Sequence, residues 1–314
     1  MKRAGFVASI GAIGGAAALL PVAARAQTLT QITVASAPND DLIALLWGIE
    51  SGAFRKAGLD IVIQKASSGS AVAAAVAGNA VDIGKSSLVS ILAGRSKGFP
   101  YVLVAPAGIY SGDGPTSGLV VAPNSTLKTG KDCNGKIMGV GALNDLTALG
   151  TMAWVDATGG DSKTLRYVEI PASAMAAAVE AGRIDGGTMP NPQFGQAIAS
   201  GKVRLLANAN TAIARRFLQA AYFATTDYVA KNKALVATFR RVIDEAGAYA
   251  NAHRAQMIPI ISNFTGVEPA AILAQPQQIV ATSLDIRLIQ PLADAAMKYN
   301  IVVAGFDPRT MIDN

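Results

Sequence analysis

The stretch AGNAVDIGKSSLVSILAG, residues 77–94, combines a short β-type run with Gly84-Lys85-Ser86 and an apolar helical pattern. That order is typical of a loop that wraps a nucleotide phosphate with backbone N–H groups and a lysine. The spacing does not fit, because the leading glycine of such a loop would stand at position 79, which is Asn79. The stretch is therefore predicted to be a strand-to-helix loop that faces a small molecule, which need not be a nucleotide.

Residues that catalyse hydrolysis or bind metal ions are scarce. His253 is the only histidine and Cys133 the only cysteine, so a metal site lacks companion ligands and a Ser-His-Asp triad would depend on His253. His253 is predicted to be a surface or helix-end residue. Cys133 is predicted to be a small residue at an element boundary rather than a reactive thiol. The sequence therefore predicts a protein that is not an enzyme and has no metal or cofactor.

The first 26 residues have the pattern of a secretory signal peptide. Residues 1–3 include two basic side chains, residues 4–20 are small or apolar and uncharged, and Ala24-Arg25-Ala26 provides a cleavage site. The run is too short and too rich in Ala and Gly to span a bilayer. We expect cleavage after Ala26 and a soluble, monomeric mature protein in the periplasm.

Charge and length limit the classes of function. Removal of the signal peptide takes away Lys2, Arg3 and Arg25 and lowers the formal net charge from +6 to +3. A small charge from scattered basic residues does not indicate a nucleic-acid partner. The remaining chain is long and apolar enough to bury a large core, which such chains usually divide between two lobes.

An internal repeat is the most informative feature. SAVAAAVAGNAVDIG (70–84) aligns without gaps with SAMAAAVEAGRIDGG (173–187), and TVASAPNDD (33–41) and MGVGALNDL (138–146) precede them in the same order. Each copy reads as strand, Asn-Asp loop, helix, strand, helix, strand and polar loop. Alternating strands and helices predict parallel β-α-β units, and two such units predict two facing α/β lobes.

The repeat also places the polar loops. Ligands of open α/β sheets bind beyond the carboxyl ends of the strands. The loops that the repeat makes equivalent lie at those ends: Asn39-Asp40 with Asn144-Asp145, and residues 84–87 with residues 187–191. We expect all four loops to meet at one cleft. Asp40 and Asp145 are predicted to be helix N-caps.

Two further aspartates occupy equivalent places in the repeat. Asp82 and Asp185 each precede the last strand-end loop of their copy. They are predicted to brace the loop backbones rather than to contact a solute.

Longer stretches resemble a known family. They are WGIESGAFRKAGLDIVIQKASSGSAVAAAVAGNAVDIGKSS (47–87), LVVAPNSTLKTGKDCNGKIMGV (119–140) and IQPLADAAMKYNIVVAGFDP (289–308). All three resemble the periplasmic substrate-binding proteins of ABC importers for sulfonates, taurine, nitrate and thiamine-pyrimidine precursors. That family is also similar to the eukaryotic thiamine-pyrimidine synthases.

The resemblance implies an architecture. The fold would be the α/β, type II periplasmic-binding-protein fold, in which two Rossmann-like lobes are joined by two hinge strands. Lobe 1 would comprise residues 27–112 and 222–314, and lobe 2 residues 113–221. The hinge strands would lie near Val102–Tyr110 and Ala221–Thr225.

It also implies a function. The protein would capture a small-molecule solute between the lobes and present it to an ABC permease, whose transmembrane subunits work with a cytoplasmic ATPase. The N-termini of three predicted helices and the positive charge of Lys85 favour a solute that is a sulfonate- or carboxylate-type anion. The alternative solutes are an amine and a thiamine-pyrimidine precursor, either of which the acidic residues Asp40, Asp41 and Asp145 would bind. A pyrimidine-forming enzyme of the eukaryotic type is a further alternative.

The residues expected to contact the solute lie at strand ends, at helix openings and in one hinge strand. They are Ser36, Asn39, Asp40, Ser68, Gly69, Ser70, Lys85, Ser86, Ser87, Tyr110, Asn144, Asp145, Thr147, Thr188, Met189 and Asn191.

Overall fold

The structure is a computed structural model that describes Met1, Gly5 and residues 29–312. The predicted signal peptide and its cleavage site therefore lie outside the described residues. Among those that are described, no helix has both the length and the apolar character that a membrane crossing requires.

Strands and helices alternate along the chain. The strands are β1 (Thr30–Ser36), β2 (Leu59–Lys65), β3 (Ile83–Ser87), β4 (Tyr101–Pro106), β5 (Gly108–Ser111), β6 (Ser117–Val121), β7 (Ile137–Val140), β8 (Arg166–Glu169), β9 (Gly186–Pro190), β10 (Arg204–Ala207), β11 (Arg216–Leu218), β12 (Ala220–Thr225) and β13 (Ile279–Val280). The helices are α1 (Ile43–Glu50), α2 (Ala53–Lys56), α3 (Gly69–Ala77), α4 (Leu88–Ser96), α5 (Leu146–Ala157), α6 (Ala172–Glu180), α7 (Gln193–Ala199), α8 (Thr226–Lys231), α9 (Lys233–Ala252), α10 (Arg254–Thr265), α11 (Pro269–Leu273) and α12 (Ile286–Lys298).

Ten of these strands form two five-stranded sheets of the same design, and β11, β5 and β13 form a third, three-stranded sheet. The first has the order β2-β1-β3-β12-β4 and the second the order β8-β7-β9-β6-β10. In the first sheet β1 pairs in parallel with β2 and β3, and β12 runs antiparallel to β3 and β4. In the second, β7 pairs in parallel with β8 and β9, and β6 runs antiparallel to β9 and β10. Both predicted β-α-β units are therefore confirmed.

Asp82 and Asp185 make the same contacts in the two sheets. The Asp82 carboxylate accepts a hydrogen bond from the Thr33 amide at 2.7 Å, and the Asp185 carboxylate accepts one from the Ile137 amide at 2.8 Å. Each aspartate also donates its own amide to the carbonyl of the residue that it braces. The two aspartates were predicted to brace loop backbones, but they brace neighbouring strands: Asp82 ties the start of β3 to β1, and Asp185 ties the start of β9 to β7.

Two predicted loops are strands. Lys85, Ser86 and Ser87 belong to β3, where Lys85 pairs with Ser36 of β1 and with Tyr222 of β12. Backbone N–H groups of a strand flanked on both sides serve its ladders, so they are not free for a solute. A Cβ on Gly84 would lie 2.6 Å from the Phe223 ring. Glycine therefore lets that ring pack directly on the strand.

The equivalent loop in the second copy is also shorter than predicted. Strand β9 continues to Pro190, so Thr188 and Met189 are paired with β6 rather than free in a loop.

The core of the first sheet is buried on both faces. Ile32 and Val34 of β1 pack in one apolar cluster with Phe239 of α9, whereas Ala35 packs in another with Phe223. Alternation of side chains along a strand produces this division. Helices α8 and α9, which follow β12, are separate and break at Asn232.

The chain passes between the two sheets twice, and the crossings lie side by side. After β4 it forms β5 and continues to β6, and after β10 it forms β11 and returns to β12. Strands β5 and β11 pair antiparallel, with Tyr110 opposite Phe217. The return predicted at residue 222 falls inside β12, which begins at Ala220.

Candidate functional site

A cavity of about 90 Å³ lies between the strand ends of the two sheets. Most of its lining comes from the β1–α1 segment, the start of α5 and the two crossings. The lining residues are Asn39, Asp40, Asp41, Ser87, Thr116, Ser117, Asp145, Leu146, Thr147, Pro190, Asn210, Gln219 and Ala220. The predicted convergence of the Asn39-Asp40 and Asn144-Asp145 loops on one cleft is confirmed for Asn39, Asp40 and Asp145.

On the first-sheet side, Lys85 forms an ion pair with Asp41. The ammonium of Lys85 donates to Asp41 Oδ1, and both side chains are less than one-tenth exposed. Asp41 is part of the 3₁₀ turn Asp40–Leu42 that precedes α1, and its carboxylate meets Lys85 at the middle of β3. Asp41 lines the cavity, whereas Lys85 is not among its lining residues.

Asp40 is the adjacent carboxylate and is also buried. Burial and the neighbouring charge of Asp41 raise the pKa of Asp40 to about 7, although Lys85 lowers it. Among residues 29–312, no side chain donates a hydrogen bond to this carboxylate. Asp40 was predicted to be an N-cap, but Asn39 holds that position and Asp40 is the first residue of the turn. Its carboxylate is therefore available to a donor that enters the cavity.

On the second-sheet side, Asp145 caps helix α5, as predicted. Its Oδ1 accepts hydrogen bonds from the Thr147 amide at 2.8 Å, the Ala148 amide at 3.2 Å and the Thr147 hydroxyl at 2.6 Å. Burial raises the pKa of Asp145 to about 6, although these hydrogen bonds oppose the shift. Asp145 is therefore a second acidic group whose protonation changes near neutral pH.

The charge of the cavity contradicts the basis of the predicted anion site. Three carboxylates line it, from Asp40, Asp41 and Asp145, and no basic side chain of the described residues does so. Lys85 was expected to attract an anion, but its charge is compensated by Asp41. The interior is therefore acidic.

The helix openings give no support to an anion either. Asp145 occupies the N-terminus of α5, and the hydroxyls of Ser68 and Ser87 accept from main-chain amides at the openings of α3 and α4, each at 3.3 Å. Amides that already have an intramolecular acceptor are less available to a bound anion.

The two sides of the cleft contact one another. The Ser90 hydroxyl donates to the Asn144 carbonyl at 3.1 Å, and the Gln193 side-chain amide donates to the Pro38 carbonyl at 3.2 Å. Ser90 and Pro38 belong to the first-sheet side, and Asn144 and Gln193 to the second. The structure is therefore of a closed form, in which the cavity is enclosed from both sides.

Several other predicted contact residues line neighbouring cavities or pack beside the cleft. Ser70 and Asn144 line a neighbouring cavity of about 230 Å³, and Asn191 lines an apolar cavity of about 30 Å³ that Asp40 shares. Ser68 caps α3, and a Cβ on Gly69 would lie 2.4 Å from the Ser86 hydroxyl, so these three residues pack together beside the cleft.

The remaining predicted residues are bonded inside the protein. The Tyr110 hydroxyl bonds to Thr211 at 2.7 Å, the Thr188 hydroxyl bonds to Thr151 at 2.7 Å, and the Ser36 hydroxyl donates to the Ala37 carbonyl. Met189 packs in the apolar core of the second sheet. Their assignment as cavity contacts is corrected, because strand pairing turns these side chains into the interior.

Sequence reasoning missed the contribution of the crossings. Thr116, Ser117 and Gln219 stand where the chain passes between the sheets, and Asn210 lies in the short turn Ala209–Ala212. The Asn210 amide donates to the Ser117 hydroxyl at 2.9 Å, and the Thr116 hydroxyl has no partner among the described residues. The Gly- and Pro-rich segment around residue 114 was the available signal for these positions.

Neither His253 nor Cys133 lines the cleft cavity. His253 is exposed at the end of α9, as predicted, and stacks on Tyr249 with ring centroids 3.8 Å apart. Cys133 is buried, and burial raises the pKa of its thiol to about 11.

Comparison with known proteins identifies the family and the fold. The family described as NMT1/THI5 like matches residues 39–257. No curated protein has a sequence that matches this chain.

Solved structures share the fold over nearly the whole chain. The alkanesulfonate-binding protein SsuA from Xanthomonas axonopodis pv. citri, bound to MOPS, has a TM-score of 0.77 at 15% identity, over 90% of this chain and 98% of SsuA. The periplasmic nitrate-binding protein NrtA from Synechocystis PCC 6803 has a TM-score of 0.76 at 15% identity, over 90% of this chain and 84% of NrtA. The desulfurization enzyme DSZB has a TM-score of 0.66 at 16% identity, over 90% of this chain and 96% of the enzyme. At these identities the likeness concerns the fold, which is the predicted type II periplasmic-binding-protein fold.

Proposed function

The chain belongs to the NMT1/THI5-like family, and from that premise we propose that it is an extracytoplasmic solute-binding protein. It encloses one small solute between its two sheets and delivers that solute unchanged to an ABC permease. The predicted signal peptide supports a periplasmic location, and the shared fold of the sulfonate- and nitrate-binding proteins supports a role in binding.

We infer that the solute carries N–H donors, as an amine, an amidine or an aminopyrimidine does. The observation behind this inference is the lining of the cavity, which has three carboxylates and no basic side chain among the described residues. An anionic head group would add a further negative charge to this enclosed space, where water screens charge weakly. A cationic or N–H-rich group instead completes the hydrogen bonds of Asp40.

The two-sided cavity fits the energetics of a small solute. A ligand gains at most about 1.5 kcal/mol per heavy atom, and micromolar affinity corresponds to about −8.2 kcal/mol. A solute with few atoms reaches that value only when most of its surface is enclosed. Asp40 and Asp41 approach from one side and Asp145 from the other, so closure of the cleft provides the full set of contacts.

Opening and closing would use the paired crossings. Strands β5 and β11 form an antiparallel pair, through which one chain segment leaves the first sheet and the other returns to it. A rotation about this pair would separate Ser90 from Asn144 and Gln193 from Pro38, which are the contacts that close the cleft. Hinge closure of this kind is general for two-lobed binding proteins.

A thermal-shift screen tests the proposal. The panel contains primary amines, amidines and aminopyrimidines, with sulfonates, carboxylates and nitrate as comparison classes. A true ligand at about 100 times its Kd adds about 2.7 kcal/mol of stability. We expect stabilisation by the N–H-bearing classes and recovery of the ligand in unaltered form. Stabilisation confined to the anions would contradict the head-group assignment, and conversion of the ligand would contradict the binding role.

A further inference from the structure

The apolar cavity of about 30 Å³ lies directly beside the acidic one. Asp40 lines both cavities. The Gln219 side-chain amide, in the wall of the acidic cavity, donates at 2.8 Å to Gln278, in the wall of the apolar one. A group bound to the Asp40 carboxylate therefore sits at the junction of an acidic compartment and an apolar compartment.

The second compartment is made mainly of hydrocarbon. Helix α1 contributes Ile43, helix α9 Ala250 and helix α11 Ile272, and helix α10 contributes Met257, Ile258 and Ile261. Arg254 also lines it, but its guanidinium donates to the main-chain carbonyls of Ile272, Leu273 and Gln275. That guanidinium is therefore already engaged on the protein's own backbone.

One polar side chain of this compartment has an oxygen without a partner. Asn191 is 1% exposed and lines the apolar cavity, and its Oδ1 accepts no hydrogen bond within residues 29–312. The main-chain N–H of Asn191 donates to the Thr116 carbonyl at 2.8 Å, and the Thr116 hydroxyl in the acidic cavity has no partner in the described part of the chain either. A buried oxygen without a donor is costly to the protein. A solute that spans the junction can provide the missing donor.

We propose that the solute is amphipathic: its amino group binds at Asp40, and a short apolar substituent enters the compartment between α1, α10 and α11. This inference rests on the proposed function and narrows its substrate class. A cavity needs roughly 10–15 Å³ to hold one water-sized group, and this compartment has about 30 Å³. It therefore takes up one or two carbon atoms of the substituent.

Calorimetric titration of the whole protein with methylamine, ethylamine, propylamine, butylamine and pentylamine tests the inference at pH 8. Each methylene that enters an apolar site raises affinity about fourfold. We expect this rise over the first one or two added carbons and no further rise beyond them. Because the series is measured on the wild type, the test does not depend on the folding of a variant.

A matched pair of variants locates the effect. Ala250→Val adds two carbons at the wall of the apolar compartment, and we expect it to remove most of the chain-length dependence while methylamine still binds. Ala246→Val adds the same volume to a buried alanine of the same helix that lines neither cavity, and we expect it to leave the dependence unchanged.

The outcomes separate the two proposals. Amines that all bind with equal affinity, or an equal chain-length dependence in both alanine variants, overturn the amphipathic solute and leave the proposed function intact. Failure of every amine to bind, together with binding of a sulfonate or carboxylate, overturns the head-group assignment and removes this inference with it.

Discussion

The ammonium of Lys85, the central residue of β3, is hydrogen-bonded to the Asp41 carboxylate, with both side chains less than one-tenth exposed. This contact determines the net charge that the cleft presents to a solute. The charge of Lys85 is compensated by Asp41, and Asp40 and Asp145 remain as the buried carboxylates that face the cavity without an ion-pair partner in residues 29–312. Substitution of Lys85 or Asp41 alone would leave its partner as an uncompensated buried charge.

Removal of one member of this pair should be severely destabilising. Lys85→Ala leaves Asp41 buried and uncompensated, which typically costs about 3–5 kcal/mol. Urea denaturation measures the free energy of unfolding. The matched control is Arg55→Ala, which breaks an exposed pair with Asp60 at 2.9 Å and should cost less than about 1 kcal/mol. Equal losses in the two variants would show that the Lys85–Asp41 pair is not buried in solution.

Joint replacement of the pair should restore much of the stability. Lys85→Met with Asp41→Leu removes both charges and keeps similar volumes, and such replacements are often neutral or stabilising. A double variant as unstable as Lys85→Ala would indicate that packing, and not the unpaired charge, causes the loss.

The protonation of Asp40 should make stability depend on pH. Its pKa is about 7 in the folded protein and 3.8 without perturbation, so the folded state binds the proton more tightly. Stability is therefore lost as pH rises from about 4 to about 7, by up to about 4 kcal/mol from this group. Denaturation of wild type and Asp40→Asn at pH 5 and pH 8 isolates the effect, because the other titrating groups, including Asp145, are common to both. If the difference in the free energy of unfolding between wild type and Asp40→Asn does not change with pH, the burial of Asp40 is contradicted.

Asp145 should contribute charge to binding beyond its role as a cap. Asp145→Asn keeps a side-chain acceptor for α5, since Asn and Asp are similar as N-caps, but removes the negative charge. We expect amine affinity to fall about tenfold or more, as is usual for hydrogen bonds that involve a charged group. Asp161→Asn is the control, because Asp161 caps a turn on the same sheet's side but lines no part of the cavity. Equal affinities of wild type and Asp145→Asn in calorimetry would remove Asp145 from the site.

Cys133 should be inert in the native protein. It is buried, and burial raises the pKa of its thiol to about 11, so little reactive thiolate is present near neutral pH. A colorimetric thiol reagent at pH 8 should label the unfolded chain fully and the native chain very slowly. Rapid labelling of the native protein would place the thiol at the surface.

The repeat was sufficient to predict the paired sheets. The strand-helix alternation in residues 33–84 and 138–187 follows local periodicity, and both copies fold as predicted, with α5 over Leu146–Ala157. The exact ends of strands were less predictable. Gly84-Lys85-Ser86 has the composition of a loop, but pairing with β1 and β12 extends the strand through it. Such pairing depends on tertiary context, which local propensity does not include.

The site was only partly predictable for the same reason. Asn39, Asp40 and Asp145 follow from the repeat, because equivalent loops lie at equivalent strand ends. The pairing of Lys85 with Asp41 joins residues 44 positions apart. Nothing in the sequence indicates that the charge of this lysine is compensated.

The most direct test of the central claim is calorimetric titration of the wild-type protein at pH 8 with propylamine, propionate and propanesulfonate. These solutes have similar size and differ in head group. The account predicts one-to-one binding of the amine and no measurable binding of the two acids. Binding of propanesulfonate or propionate in preference to propylamine would contradict it.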